Sequence, residues 1–350
     1  MAYTTINKSS LLMNNKIYTG NGAASHAITG IGFKPDWTWI KSRSNNTDHI
    51  LTDIIRGVTI DLKSNTNAGN ATDSNHLKSF DSDGFTLGTE NDVNGSSRTY
   101  ASWNWKAGTA VSGNTGGSGS YKTYSGSVDI AAGFSIIKFT GNGSAGHTIP
   151  HHLGAVPKMI IFKQLTGSNV DWRVYHESLG NTHRLCLNDT SASNNDDSAF
   201  NDTSPTSSVF TVGGSSSTNP NNYDVIAYCF ADKTGYSKFG SYVGNGNADG
   251  SFVYTGFKPS FMLVKGSSAS GGNWTIHDNK RDTYNVTFKR LLANDNGAEY
   301  TSTSNQVDFL SNGFKRRATN SGANESGQTY IYMAFGQSLV GSNNVPNNAR

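Results

Sequence analysis

The chain of 350 residues contains 39 glycines and 7 prolines, and only 15% of its residues are charged. Together with abundant Asn, Ser and Thr, this composition favours short strands joined by polar turns, which excludes a mainly helical protein and predicts an all-β fold. The net charge of +3, from 28 basic and 25 acidic residues, argues against a nucleic-acid-binding protein, which needs a concentrated basic face.

Residues 1–16 are the first predicted segment, a short N-terminal arm. The arm has no basic segment followed by an apolar stretch, so we expect no secretory signal. No run in the chain approaches the roughly 18 apolar residues that span a bilayer, so we predict no membrane insertion. We interpret the arm as a segment able to anchor on a partner protein.

The strongest pattern is an aromatic residue, any residue and then Gly-Asn-Gly, which opens three successive copies of one unit. It occurs at residues 18–22, 139–143 and 242–246. Four landmarks lie 121 to 125 residues apart between copies one and two, and 102 to 105 residues apart between copies two and three. Such regular spacing indicates a true repeat. Because Gly and Asn tolerate positive φ, each triplet is interpreted as a turn that leads out of a strand.

The repeat divides the chain into three predicted modules, at residues 17–108, 133–232 and 233–338, with a C-terminal tail at 339–350. Between the first two modules, the Gly/Ser-rich segment 109–132 is too poor in apolar side chains to pack, and it is predicted to be a flexible linker. Copies two and three have no such spacer. We therefore expect these two to share an interface and copy one to be loosely tethered.

In each copy a proline precedes a short apolar run that ends in lysine. The proline and lysine pairs are Pro35 and Lys41, Pro157 and Lys163, and Pro259 and Lys265. Proline lacks an amide donor and fits just before a strand, so the run is predicted to be a buried strand. We interpret the lysine as the exit of that strand to solvent.

Each copy closes on an aromatic strand that carries two large side chains at a spacing of two residues. The pairs are Trp103 and Trp105, Tyr228 and Phe230, and Met333 and Phe335. This spacing places both members on one face of a strand. Two facing antiparallel sheets would bury them, which predicts a β-sandwich in each copy.

Three histidines within six residues, His147, His151 and His152, offer the donor atoms of a metal site. The aligned stretches of copies one and three, residues 28–33 and 252–257, contain no histidine and must make the same turn. We therefore interpret the cluster as one variant of a common turn and predict no metal site.

Three pairs of carboxylates could flank a glycosidic bond, as the catalytic acids of glycosidases do. The pairs are Asp48 with Asp53, Asp196 with Asp197, and Asp278 with Asp282. Asp53 and Asp278 each precede an arginine by three residues, which indicates local ion pairs at turns, and residues 196–197 resemble a solvated loop. Because copy two has Tyr-His-Glu at 175–177 in the corresponding region, no pair is common to the copies, and we predict no catalytic residues.

Three tryptophans outside the closing strands, Trp37, Trp172 and Trp274, could each present an aromatic face to a sugar. A core role at the start of a strand fits their positions better, so ligand-binding residues stay unassigned.

Two further groups have a simpler interpretation. Cys186 and Cys229 both lie in copy two, and Cys229, in an apolar strand, is interpreted as a small buried thiol rather than a metal ligand or half of a disulfide. The basic run Lys315, Arg316 and Arg317 follows the start of a strand and is predicted to be solvated.

Several motifs together carry a resemblance to a known family. They are the Gly-Asn-Gly turn after Tyr18, Gly-Phe-Lys-Pro-Asp-Trp-Thr-Trp-Ile-Lys at 32–41, Asp-Gly-Phe at 83–85, the aromatic run 100–107 and Ser-Asn-Gly-Phe-Lys at 311–315. Over residues 17–338 the chain resembles a three-part repeat family of virion proteins in marine tailed phages, often labelled tail-fibre-like or concanavalin-like. Residues 152–157 are similar to its His-Gly-Leu-Gly-x-x-Pro element, although His151 and His152 stand where the family has His and then Gly.

The resemblance implies a tandem array of three jelly-roll or concanavalin-like sandwiches in a non-enzymatic virion protein, made in the host cytoplasm and exposed on the particle. It implies no cofactor. We expect a tail fibre or similar appendage for host attachment, with other virion proteins, a homo-oligomer (a trimer if a fibre) and a host-surface glycan as candidate partners. A capsid (head) decoration protein is the alternative, because the short arm has no coiled-coil heptads. A polysaccharide-binding or depolymerising tail protein is the second alternative.

Overall fold

The computed structural model describes residues 3–269, 271–301 and 303–338, so the predicted tail 339–350 lies outside the described residues. The fold is all-β with antiparallel pairing, as predicted. Its helical segments are short: 3-10 turns at Ser9–Leu11 and Glu177–Leu179, α1 (Asn91–Asn94) and α2 (Asp197–Phe200). In the described part of the chain, no helix has the length and apolar character needed to cross a membrane.

Copy one is built from a large and a small sheet. Its strands are β1 (Met13–Thr19), β2 (His26–Thr29), β3 (Trp37–Ser42), β4 (Ile50–Asp53), β5 (Ile60–Asp61), β6 (Ala71–Thr72), β7 (Leu77–Asp81), β8 (Gly84–Leu87) and β9 (Thr99–Trp105). The large sheet has the order β1-β9-β3-β4 and the small sheet the order β2-β8-β7, while β5 pairs with β6.

Copy two has the same plan with a longer large sheet. Its strands are β10 (Thr109–Asn114), β11 (Gly116–Gly117), β12 (Thr123–Asp129), β13 (Phe134–Thr140), β14 (His147–Pro150), β15 (Met159–Gln164), β16 (Arg173–His176), β17 (His183–Arg184), β18 (Asn194–Asn195), β19 (Val209–Val212) and β20 (Asp224–Phe230). The sheet orders are β10-β12-β13-β20-β15-β16 and β11-β14-β19, and β17 pairs with β18.

Copy three repeats the plan once more. Its strands are β21 (Ser237–Val243), β22 (Phe252–Tyr254), β23 (Phe257–Gly266), β24 (Thr275–Asp278), β25 (Lys289–Leu292), β26 (Tyr300–Thr301), β27 (Val307–Leu310), β28 (Gly313–Arg316) and β29 (Thr329–Ser338). The sheet orders are β21-β29-β23-β24-β25-β26 and β22-β28-β27. Pro35 and Pro157 precede their strands as predicted, whereas Pro259 lies inside β23 at a register shift.

The large and small sheets of each copy enclose a core of their own, which confirms the sandwich prediction. In copy two, Phe162 of the large sheet meets Phe210 of the small sheet with ring centroids 5.3 Å apart. In copy three, Tyr332 and Phe314 make the equivalent contact at 5.3 Å. Edge-to-face geometry of this kind is favourable for aromatic rings.

The prediction of a flexible linker at 109–132 is wrong. This segment contains β10 and β12, which extend the large sheet of copy two through full ladders of backbone pairs. A strand at a sheet edge needs backbone donors and acceptors more than apolar side chains. The mostly exposed side chains of β10 explain why the composition resembled a linker.

The paired large side chains of the closing strands point away from their own small sheets. Trp103 and Trp105 of β9 and Tyr228 and Phe230 of β20 join one shared core with their counterparts in β29. The intervening residues, such as Cys229, face the small sheet of their own copy. We predicted the common face of each pair correctly but assigned it to the wrong core, because each large sheet is buried on both faces.

The shared core joins all three copies, so the expectation that copy one is loosely tethered is wrong. Trp37 of copy one stacks on Tyr228 of copy two with a centroid distance of 4.4 Å. Trp105 of copy one meets Phe335 of copy three at 6.0 Å, and Phe335 meets Phe230 of copy two at 6.1 Å. The three sandwiches therefore close around one apolar centre.

The N-terminal arm packs on copy three of the same chain. The hydroxyl of Thr4 donates to the carbonyl oxygen of Thr234 at 2.7 Å, and the backbone N–H of Ser9 donates to the side chain of Gln337 at 2.9 Å. Ile6 is buried in the shared core. The described part of the arm thus links the two ends of the three-copy body.

Candidate functional sites

Equivalent side chains of the three copies form a closed ring of hydrogen bonds around the shared core. Trp172 Nε1 donates to the carbonyl oxygen of Lys63, Trp274 Nε1 to that of Cys186, and His49 Nε2 to that of Leu292, at 3.0, 2.7 and 2.9 Å. Copy two thus contacts copy one, copy three contacts copy two, and copy one contacts copy three. Burial lowers the pKa of His49 to about 3, so its imidazole is neutral and can serve as the counterpart of an indole.

The tryptophans weighed as sugar platforms are core residues, in agreement with our preferred interpretation. Trp37 and Trp172 have no exposed surface, and Trp274 is 1% exposed. The large exposed aromatic side chains of β22 are instead Phe252 and Tyr254, at 47% and 58% exposure. Their alternation with buried Val253 was a signal that sequence reasoning overlooked.

The predicted local ion pairs are confirmed, but they are buried. Arg56 Nε lies 2.6 Å from Asp53 Oδ2, and Arg281 Nε lies 2.5 Å from Asp278 Oδ2. All four side chains have at most 1% of their surface exposed. Removing one member of such a pair would leave an uncompensated charge in the interior, which is far more costly than loss of a surface pair.

Both acids of these pairs also reach the neighbouring copy. Tyr228 of copy two donates to Asp53 Oδ2 at 2.8 Å, and Trp103 of copy one donates to Asp278 Oδ2 at 3.1 Å. At the matching position of copy two, His176 Nε2 donates to the carbonyl oxygen of Tyr332 in copy three at 3.2 Å. These contacts form a second closed ring, in which the acids tie copies together.

The other carboxylates weighed as catalytic have separate structural partners. Asp48 binds Lys63 at 2.7 Å, and Asp196 binds Arg184 at 2.8 Å next to Asp197 in α2. Asp282 accepts two backbone N–H groups. Asp48 and Asp196 therefore belong to ion pairs, and Asp282 holds a turn of the backbone.

The lysines that end the apolar runs do not reach solvent, contrary to our interpretation. Lys41, Lys163 and Lys265 have no exposed surface, and burial lowers the pKa of each to about 8. Lys163 Nζ donates to the carbonyl oxygens of Val170 in its own copy and Asn67 in copy one, at 2.5 and 2.8 Å. Lys265 bridges copies three and two in the same way. The runs of copies two and three thus end at contacts between copies, whereas Lys41 donates to carbonyl oxygens of its own copy.

His147 and His151 have separate hydrogen-bond partners. The His147 ring donates from Nδ1 to Asn219 and accepts from Thr115 at Nε2, at 3.0 and 2.6 Å. His151 Nε2 donates to the carbonyl oxygen of Thr206 at 3.1 Å, and burial lowers its pKa to about 4. Both rings are held as neutral parts of the sandwich.

His152 supports the turn interpretation. Its φ of 60° lies in the left-handed region, which glycine adopts freely and which turns often require. The side chain is partly buried and bonds to the hydroxyl of Tyr124 through Nε2 at 2.9 Å.

The Gly-Asn-Gly triplets are locked turns, as predicted. The backbone N–H of the turn asparagine donates to the side chain of a later, buried asparagine in each copy: Asn21 to Asn94, Asn142 to Asn219, and Asn245 to Asn324, at 3.0, 2.9 and 3.1 Å. The later asparagine donates back to the carbonyl oxygen two residues beyond the turn asparagine. We missed these asparagines, although they recur with the spacing of the other landmarks.

In the part of the chain that the structure describes, two groups of side chains have the proximity that a metal ion requires: Asp73, His76 and Glu90, and Asp171, Cys186 and Asp189. In the first, His76 Nδ1 is already bonded to Asp61 at 2.5 Å. In the second, Arg173 and Arg184 contact Cys186 Sγ at 3.0 and 3.1 Å, and burial raises the pKa of the thiol to about 11. Two guanidinium groups beside a protonated thiol disfavour a cation there.

A family model described as a domain of unknown function, DUF7483, matches residues 8–338. The chain belongs to this family. No curated protein and no solved structure matches the chain. The DUF7483 match spans all three sandwiches and the segment 109–132. The matched region of this chain therefore contains the complete three-copy body.

Proposed function

We propose that this protein is a non-enzymatic structural protein of a bacteriophage particle, located in a tail fibre or similar appendage that contacts the host surface. The observation that carries the proposal is the closure of three sandwiches around one core, with Trp37, Trp105 and Phe335 at the contacts between copies. Such a body suits a rigid building block. The resemblance of its motifs to phage virion proteins supports the same assignment.

The exposed face of β22 supports a role in surface recognition. Phe252 and Tyr254 stand where copy one has the small residues Ala27 and Thr29. An aromatic surface beside polar groups is what a glycan-binding site needs. A host-surface glycan is the candidate ligand of this face.

Adsorption competition tests the recognition role. Purified protein, added to host cells before the phage, should reduce phage adsorption, and the double variant Phe252→Ser, Tyr254→Ser should lose at least tenfold in potency. The matched control is Tyr284→Ser, which removes another exposed aromatic side chain, 79% exposed, outside β22. Equal potency of the wild type and the β22 variant would reject this face as the recognition surface.

Electron microscopy of particles labelled with an antibody against this protein tests the location. Label at the tail or its fibres is the expected result. Label spread evenly over the head would reject the appendage and favour the decoration protein.

Head decoration is the second candidate because the arm packs on copy three through Thr4 and Ser9, so its described part does not project as a shaft. An enzyme that degrades polysaccharide, a depolymerase, is the remaining alternative.

Incubation of the purified protein with host polysaccharide should release no reducing ends. Release of oligosaccharides would overturn the non-enzymatic assignment.

A further inference from the structure

Arg316 is a buried charge at a position where the other two copies have an aliphatic residue. The pairing of the small sheets aligns Arg316 in β28 with Leu87 in β8 and Val212 in β19. All three residues have no exposed surface. The prediction of a solvated basic run is therefore wrong for Arg316, because strand alternation turns it inward between Lys315 and Arg317.

The guanidinium of Arg316 is only partly satisfied by the protein. Nη2 donates to Asn305 Oδ1 at 2.6 Å, whereas Nε and Nη1 have no hydrogen-bond partner. The amide nitrogen of Asn305 is also unpaired and buried. Within residues 3–269, 271–301 and 303–338, no carboxylate forms a salt bridge with Arg316. A buried guanidinium normally has such a partner.

Copy three has further unpaired polar groups, and the charge of Arg316 acts on two of their residues, His277 and Arg290. The hydroxyl of Thr287 and the Nε of Arg290 are buried without partners. The ring nitrogens of buried His277 lack hydrogen bonds of normal length. Burial first, and then the charges of Arg316, Arg281 and Arg290, lower the pKa of His277 well below its usual range, although the Lys289 backbone opposes the shift. The ring is neutral, and the local charge is positive.

Arg281 is neutralised by Asp278 and Glu299, so it does not supply the missing counter-charge. Water could satisfy single donors, but it would not balance a guanidinium in an interior that the other copies fill with aliphatic side chains. An anion with several oxygen atoms would satisfy both the charge and the free donors.

We propose that copy three holds one small oxyanion of the phosphate or sulfate class between its two sheets, bound by the free donors of Arg316 and by the Asn305 amide. The site is independent of the proposed function. Complete burial of Arg316 favours a free anion over an acidic group of a polysaccharide. Copies one and two, with Leu87 and Val212, lack the site.

Thermal unfolding at matched ionic strength tests the proposal. The protein is dialysed into a chloride buffer and titrated with phosphate, sulfate, acetate or glucuronate. We expect phosphate or sulfate to raise Tm by several degrees in a saturable manner, because a ligand that binds only the folded state stabilises it. A response to glucuronate alone would reject the free anion, and no response to any of the four would reject the site.

Two variants make the test specific. Arg316→Leu introduces the residue of copy one and should remove the anion dependence, with a Tm in chloride buffer at or above that of the wild type. Arg317→Leu removes a partly exposed neighbouring charge and should keep the anion dependence. The reverse pattern would overturn the proposal.

If Arg316→Leu does not fold, a binding measurement on the wild-type protein still tests the anion site. Equilibrium dialysis of the wild-type protein against labelled phosphate or sulfate should find about one bound anion per chain at saturation. No bound anion, together with an unresponsive Tm, would leave water as the occupant and refute the site.

Discussion

The shared core and the three sandwich interiors differ in how faithfully the copies repeat one another. Around the shared core, Trp172, Trp274 and His49 make the same contact to the next copy although one of them is not a tryptophan. In the sandwich interiors, Leu87 of copy one is replaced by Arg316 in copy three. Closure of the body constrains the first region, whereas the second can diverge once each sandwich is stable. We therefore expect function to reside in features that only one copy has, such as Arg316.

The largest predicted effect tests whether the copies depend on the shared core. Trp37→Ala removes a ring that stacks on Trp105 and Tyr228, both at 4.4 Å. We expect a loss of about 4 kcal/mol in the free energy of unfolding, because a fully buried large aromatic residue leaves a cavity. Urea denaturation followed by circular dichroism should show one transition, shifted to lower urea.

Two separate urea transitions in the wild type would contradict this account, since they would mean that copy one unfolds independently. The control is Tyr284→Ala, on an exposed side chain, which should leave the midpoint unchanged.

The second prediction concerns the buried ion pairs that tie copies together. Asp278→Asn should cost about 3 kcal/mol at pH 7, because it weakens the contacts to Arg281 and Trp103 in the interior. Burial is opposed by Arg281, and the net effect lowers the pKa of Asp278. A lowered pKa contributes stability above the unfolded value of about 3.9 that is lost as pH falls through the folded value.

Equilibrium unfolding of Asp278→Asn and wild type from pH 7 to pH 3 checks both points, and the difference between them should shrink in acid. Asp249→Asn, which removes an exposed partner of Lys315 and Arg317, should have no measurable effect. Equal effects of the two substitutions would contradict the importance of burial.

Sequence patterns predicted much of the local structure and little of the assembly. Spacing identified the copies, the turns at Asn21, Asn142 and Asn245, and the common face of Trp103 and Trp105. Alternation along a strand indicates which side chains share a face, but it does not say whether that face meets its own copy or another. For that reason the sequence patterns did not predict the core that the three copies share.

The buried charges were missed for a related reason. Lys163 ends an apolar run and resembles a strand exit, yet carbonyl oxygens from two copies receive its ammonium group. Arg316 stands between two other basic residues, so the run looked uniformly polar. It gave no sign that Arg316 alone faces the interior. The burial of Lys163 and of Arg316 depends on residues that are distant in sequence and meet only in the folded chain.

The third prediction concerns His76, a buried residue of copy one. The pKa of His76 is raised to about 9: burial opposes the shift, but bonds to Asp61 and Asp92 and the charge of Asp73 overcome it. A raised pKa contributes stability that is complete below the unfolded value of about 6.5 and is lost as pH rises through the folded value of about 9. His76→Asn should therefore cost about 2 kcal/mol at pH 6 and little at pH 10.

Urea midpoints of the wild type and His76→Asn across this range provide the measurement. The matched control is His183→Asn, which removes a partly exposed imidazole that contacts the hydroxyl of Thr182 and should change stability little. A difference for His76→Asn that stays constant from pH 6 to pH 10 would mean that His76 acts through packing alone.

The smallest predicted effect asks whether the Gly-Asn-Gly turn serves the fold or binding. Gly22, Gly143 and Gly246 have φ values of 69°, 71° and 66°, so alanine at any of them must adopt the left-handed conformation. We expect each substitution to cost about 1 kcal/mol, with Gly22→Ala the mildest because the nearest atom to its new Cβ, in Ser96, is 3.4 Å away. Three similar losses of stability with unchanged phage adsorption would identify the triplet as an element of the fold. If one variant kept its stability but lost the ability to compete for host cells, that copy's turn would instead be a binding loop, and the distinction between a repeated framework and divergent interiors would have to be redrawn.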